Sequence, residues 1–230
     1  YVGVIYQHYK NQTQQAIPYY DKSLKLSLET KDSVQLGYVY NNLGDAFYKL
    51  GNVPLAMEHA EKSMMVFNKL GNDRGIAYSF VNLGFVSRIN HEYQKALNYF
   101  KDAIDIRKTF GDSVGIASAT LEIGRTYFEM QKMPKAMRCF RKSLELHRQL
   151  NNKNYMAYSY HGMADVFQKK NKFDSAKYYY RQALLLDRER QNNSEIITNL
   201  LDLALINAHQ NKQSEGLELL DEAMEKAKQA

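Results

Sequence analysis

The sequence holds one cysteine in 230 residues and no apolar run longer than a few residues. A lone Cys139 excludes an intramolecular disulfide and offers no metal cluster; in its helical context it reads as a small packing residue. Runs as short as Leu184-Leu185-Leu186 exclude a transmembrane helix or signal-peptide core in this stretch. A block of like charge is missing too. The net charge of +6 is spread, with Lys and Arg alternating with Glu and Asp. The densest basic stretch, Lys135, Arg138, Arg141, Lys142 and Arg148 opposed by Glu145, has no interleaved aromatic platform and no recognition motif. Sequence-specific nucleic-acid binding is therefore not expected. Nor is a catalytic constellation to be found. The six histidines form no HExxH and no cluster with ligand spacing. The pairs Gly71/Gly75 and Gly111/Gly115 lack both phosphate-loop patterns and read as helix caps and connectors. An enzyme, a bound metal and a cofactor are all unexpected.

What is present is a repeat. With 44% hydrophobic and 24% charged residues the composition is that of a folded chain. Leu43, Leu83, Ile123, Met163 and Leu203 recur every 40 residues, each followed by a small residue: Gly44, Gly84, Gly124, Ala164, Ala204. Twelve residues on come Ala56, Ala96, Ala136, Ala176 and Gly216, then Ser63, Ala103, Ser143, Ala183 and Ala223. Such self-similarity marks a solenoid whose units bury apolar faces only against their neighbours.

Each unit reads as two helices. In residues 32–71, Leu36, Val39, Tyr40, Leu43, Phe47 and Leu50 recur at helical steps, and Gly51-Asn52 supplies a stop. Pro54, like Pro134, sits in the first turn of the following helix, where a missing N–H costs nothing. Pro18 lies deeper, which predicts a kink or a late helix start. In the second helices one deep apolar slot reads Leu24, Met64, Ile104, Leu144, Leu184, Met224, and another Leu26, Val66, Ile106, Leu146, Leu186. The small slots let paired helices approach, with aromatics such as Tyr20, Phe100, Phe140 and Tyr180 filling the gaps beside them. Val2-Gly3 match the Leu43-Gly44 slot, and Ala230 closes a Lys-rich helical stretch without a stop signal. The expectation is one solenoid over 1–230, a piece of a longer polypeptide, in units of about 1–31, 32–71, 72–111, 112–151, 152–191 and 192–230.

This small-residue signature resembles the tetratricopeptide repeat (TPR) family across the whole chain. The resemblance implies an all-α, right-handed superhelix of about five and a half antiparallel hairpins, some eleven helices in all. The commonest unit is about 34 residues; here it is 40. The tryptophan frequent in the first helix gives way to Tyr40, Phe80, Thr120, Tyr160 and Leu200. Forty-residue arrays of this kind resemble those of kinesin light chains, cell-polarity adaptors, Gram-positive peptide-pheromone receptors and bacterial sensor proteins.

The resemblance also implies a concave groove lined by the first helices. Its stripe would be Tyr38, Asn42, Asp45 and Lys49, then Tyr78, Asn82 and Phe85 with Arg88 flanking. Glu122 and Arg125 follow, then Tyr158 and Asp165 with His161 flanking. The tyrosines are either interface anchors or packing between helices. His161 is either a polar groove contact or a solvated helix histidine. Asn42 and Asn82 form the sharper pair, because a side-chain amide both donates to and accepts from a peptide backbone. Helices about 8–10 Å apart would set two such amides roughly three residues apart along an extended ligand rising about 3.3 Å per residue. The ladder stops at Glu122. The leading expectation is a non-catalytic scaffold that binds a peptide or protein segment. The alternative is a sensory or regulatory region of a larger bacterial signalling protein, a histidine kinase or a helix-turn-helix regulator.

Overall fold

The computed structural model describes residues 2–9 and 12–228, and among them every regular element is helical. Helix α1 (Val2–Val4) runs into a π-helical turn at Ile5–Tyr9. Then come α2 (Thr13–Glu29), α3 (Ser33–Lys49), α4 (Val53–Leu70), α5 (Asp73–Ile89), α6 (Tyr93–Thr109) and α7 (Ser113–Glu129). The remainder are α8 (Met133–Gln149), α9 (Lys153–Lys169), α10 (Phe173–Glu189), α11 (Asn193–His209) and α12 (Gln213–Lys228). The eleven long helices of the sequence reading are α2 to α12.

The turns explain the metronome. Every helix from α2 to α11 is followed by a short turn, three residues long except for the two after α4, that contains one residue with positive φ. The slot holds Lys31, Gly51, Gly71, His91, Gly111, Gln131, Asn151, Asn171, Gln191 and Asn211. That left-handed residue is what closes an α-helix from its C-terminal side, and glycine takes it without steric cost. The residue after it starts the next helix. Asp32, Asn52, Asn72, Asp112, Asn152 and Asn192 each accept the backbone N–H three residues on. A 40-residue unit is thus two 20-residue half-units of one design. Helix α2 obeys the same clock: it begins at Thr13 and carries Pro18 inside it, so the late start is not what the chain does.

Two compact units result, Tyr1–Ala119 and Thr120–Ala230. In the first, Gly44 lets α3 meet α4 backbone to backbone; a Cβ there would stand 3.3 Å from the Ala60 nitrogen. A Cβ on Gly84 would lie 2.6 Å from the Phe100 ring. In the second unit Phe140 fills the space over both Gly124 and Gly162, where a Cβ would come within 2.7 Å of its ring. Tyr180, Leu184, Ile196, Leu200, Leu203 and Ile206 form the core of the α9–α11 region.

Two expectations need correcting. Gly75 and Gly115 are not connectors. They lie in the first turns of α5 and α7, where a Cβ would strike Phe67 in one case and Arg107 and Asp112 in the other. The Leu24-to-Met224 slot is not deep either. Most of it is half-buried and Met224 is exposed, as is Leu26 in the companion slot. The deep line of the second helices runs through the small residues and one slot further, Ser27, Phe67, Arg107, His147 and Asp187, all buried. Mixed polarity hides that slot from any hydrophobic count.

Candidate functional site

The first unit builds its first-helix face from α3 and α5. Tyr38 is half-buried with its ring edge-on to Phe67 at 4.9 Å, so it packs between helices. Tyr48 stacks on Phe85 at 5.2 Å, and the Arg88 guanidinium lies 5.8 Å from the Phe85 ring centre. Arg88 is 7% exposed, well inside the surface it was expected to flank. Asp45 accepts hydrogen bonds from the Gln7 amide at 2.6 Å and from Lys49 at 2.9 Å. Gln7 in turn accepts the Tyr20 hydroxyl at 2.5 Å. Burial, and then the Asp45 charge, push that hydroxyl's pKa up to about 12.

Asn82 departs furthest from expectation. It is 6% exposed, and its amide donates to the Asn41 carbonyl at 2.8 Å and to the Asn41 side-chain oxygen at 3.0 Å. The amide is spent on the neighbouring helix and does not face open solvent. Asn42 is half-buried in a cleft it shares with Val2, Tyr19 and Val39. What stays open on this face is Tyr78, 48% exposed beside the Arg107 guanidinium at 5.6 Å, together with Ile89 and Lys49.

The second unit uses charge where the first uses amides. Glu122, 7% exposed, receives the Arg125 guanidinium at 3.0 Å, and Arg125 lies 5.3 Å over the Tyr158 ring. The Tyr158 hydroxyl reaches Glu195 at 3.4 Å. Burial, and then the Glu195 charge, raise its pKa to about 12 against the pull of Arg125 and Arg190. His161 bridges two helices, with Nε2 3.0 Å from Asp202 and Nδ1 3.4 Å from Asp165. Burial opposes its charge, but hydrogen bonds and attraction from both carboxylates outweigh it and lift the pKa to about 10. With a carboxylate at each nitrogen the ring is an imidazolium donating from both, and not a freely solvated histidine. Asp165 also accepts the Tyr180 hydroxyl at 2.6 Å.

Asn41–Asn82 and His161–Asp202 occupy the same pair of slots, 41 residues apart in each case and three 40-residue repeats from one another. Between them the pair reads Val81–Glu122 and Leu121–Gly162. A search for matched polar residues at a spacing of 41 would have found both bridges; searching along single helices does not.

Two further histidines, the buried His147 and the half-buried His59, carry the opposite signature. Both ring nitrogens of His147 lack a hydrogen-bond partner, and the ring stacks on Tyr155 at 4.7 Å; burial holds its pKa below the usual range. His59 stacks on Phe47 at 5.4 Å in the slot that holds Cys139 one unit pair later. Burial raises the Cys139 thiol pKa, which fits the packing role expected of it.

The model of the tetratricopeptide repeat matches three overlapping stretches, 36–109, 73–149 and 115–189. The chain belongs to the TPR family. A comparison with curated proteins finds no match to the sequence. Among solved structures, BtubC (BKLC) from P. vanneervenii is similar at 15% identity and a TM-score of 0.72, covering 95% of this chain and 90% of that one. A Rap protein solved in complex with Competence and Sporulation Factor gives 17% identity and 0.77, over 95% of this TPR chain and 58% of its own. The apo quorum sensor NprR from B. thuringiensis gives 17% and 0.77, over 98% and 63%. At these identities the likeness is one of fold, an all-α helical-repeat solenoid. No helix among the described residues is long and apolar enough to cross a membrane.

Proposed function

We propose that this TPR chain is a non-catalytic scaffold that binds a peptide or protein segment on the open faces of its first helices. The observation that carries this reading is the set of large apolar side chains left exposed on first helices of each unit. Tyr78 and Ile89 stand exposed on α5, and on α11 so do Leu201 and Leu205, the latter 49% exposed beside the half-buried Asp202. Exposed aromatic and aliphatic side chains next to fixed charges are what a peptide ligand needs for anchoring and orientation. The Rap structure with Competence and Sporulation Factor lends the reading support, since that protein shares the fold. In this proposal Tyr78, Phe85, Lys49 and Asp45 are the contacts offered by the first unit, and Tyr158, Asp165 and Leu205 those offered by the second, each unit by itself. Asn82, Arg88 and His161 hold the helices that present them.

The test is affinity capture with the purified chain, mass spectrometry of what is retained, and calorimetry with the recovered segment. Tyr78→Ala or Leu205→Ala should weaken binding by about 1–3 kcal/mol with little change in stability. Unchanged affinity in both variants would move the binding surface off the first helices. A regulatory region of a larger signalling protein is the second reading, supported by the likeness to the quorum sensor NprR. It predicts that the retained segment alters the activity of the parent protein as well as binding it.

A further inference from the structure

The outer faces of α8 and α12 are opposites, slot for slot. Shifted by two repeats, Lys135 corresponds to Glu215, Arg138 to Glu218, Arg141 to Asp221 and Lys142 to Glu222. Four consecutive exposed slots that are basic on α8 are acidic on α12, where three are exposed and Glu222 is half-buried. Each set spans about 10 Å of helix at 1.5 Å per residue. Within each helix the like charges stand three and four residues apart, a spacing that is mildly repulsive in isolation. Intramolecular neutralisation is sparse. Lys135 sits over the Tyr127 ring, while Glu215 and Glu222 touch Lys212 and Arg188. Arg138, Arg141, Lys142, Glu218 and Asp221 form no ion pair among the described residues. Between these helices, α10 presents two large apolar side chains at a seven-residue spacing, Tyr178 at 57% and Leu185 at 54% exposure.

We infer that this face of the second unit binds a second copy of this chain. Rotation about a two-fold axis running along α10 would bring Tyr178 and Leu185 against their own equivalents. It would lay α8 of each copy along α12 of the other. Because that axis is parallel to the helices it preserves height along them, so each basic slot meets the acidic slot of the same register. A two-fold axis across the helices would instead face α8 with α8, cation against cation, so the charges select one arrangement. An isologous contact of this kind is self-complementary and closed, ending at the dimer. Beyond the four matched slots, Glu145 would face Glu225 and Arg148 would face Lys228, so those two levels are satisfied only diagonally. The interface lies on second helices and does not depend on the proposed ligand face.

Charge exchange tests it, read by sedimentation velocity. The unaltered chain should dimerise at low salt, and its dissociation constant should rise at least about tenfold between roughly 50 and 500 mM salt as screening shortens. Arg138→Glu/Arg141→Glu should be monomeric, and so should Glu218→Arg/Asp221→Arg. Mixed in equal amounts, the two variants should form a heterodimer, because one interhelix contact then keeps its original signs and the other is restored with the signs exchanged. Glu58→Lys/Lys62→Glu, an exposed pair in the first unit, should dimerise like the unaltered chain. Circular dichroism checks that each variant is folded. A monomeric unaltered chain at low salt, single-sided variants that still dimerise, or a mixture that stays monomeric would each overturn the inference.

Discussion

The two units solve one problem with different chemistry. Successive first helices must be held at a fixed offset where each meets the next, at slots 41 residues apart. In the first unit Asn82 does this by giving one amide to the Asn41 backbone and side chain. In the second unit His161 does it as a cation shared by Asp202 and Asp165. The slots are the same; the energetics are not. A neutral amide bridge costs little to bury and is blind to pH. An ionic bridge in a half-buried site must offset the desolvation of three charges, and its strength depends on every partner being present. The repeat therefore specifies where a bridge goes and leaves its chemistry open.

Breaking the ionic bridge should have the largest effect. His161→Leu leaves Asp165 and Asp202 facing each other at a partly buried site without their cation. The expected loss is about 3 kcal/mol, the lower end for removing one partner of a buried pair, because these side chains retain some solvent. Asn82→Ala, at the equivalent slot, removes a neutral donor and should cost about 1–2 kcal/mol. Urea denaturation of both variants checks the order; equal losses would mean that charge adds nothing to the bridge.

Acidity separates the units further. The folded-state pKa of His161 is raised to about 10, so its contribution is complete below the unfolded value near 6.5 and disappears as pH rises through about 10. The second unit should thus lose stability between roughly pH 6.5 and 10, in a way that His161→Leu abolishes. The amide bridge of the first unit should show no such slope. His147 works in the other direction: its depressed pKa means stability falls as pH drops below about 6.5 and the buried ring is forced to charge. Hydrogen exchange resolved to α3/α5 and α9/α11 as a function of pH reads the units apart.

Most of the fold was legible from the repeat because its causes are local. Left-handed turn residues, Asx caps and small residues at close helix crossings each leave a mark in one short stretch of chain. The candidate site was less legible because its residues are positioned by partners 30 to 41 residues away. Nothing along α5 distinguishes Asn82 as a spent amide; only Asn41 across the interface does. Gly75 misled for the same reason. Beside Gly71 it looks like part of a turn, and its cause is the Phe67 ring of the preceding helix, which occupies the space of a Cβ. The buried slot of Phe67, Arg107, His147 and Asp187 has no common polarity because each member answers a different partner. Phe67 fits under Gly75, Arg107 donates to the Gly115 carbonyl at 2.7 Å, His147 stacks on Tyr155, and Asp187 binds Arg190 and Asn199.

The smallest effect should come from moving one bridge into the other's place. The first unit already holds the third member: Asp45 is the register counterpart of Asp165, four residues beyond Asn41 as Asp165 is beyond His161. The exchange Asn41→His/Asn82→Asp would therefore put an imidazole between two carboxylates in α3 and α5. Asp45 there is already engaged by Gln7 and Lys49, which competes with the new cation and weakens the transplant relative to the original. At neutral pH the double variant should lie within about 1 kcal/mol of the unaltered chain, since an ion pair replacing a satisfied neutral pair gains little net free energy. Either single substitution alone should be worse, because Asn82→Asp leaves an acceptor facing the Asn41 carbonyl. The informative readout is the slope: hydrogen exchange in α3 and α5, flat with pH before the exchange, should acquire the loss between about 6.5 and 10 seen in α9 and α11. A double variant as pH-independent as the unaltered first unit would show that the high pKa of His161 depends on its wider surroundings, Tyr180 included, and not on the bridge slots alone.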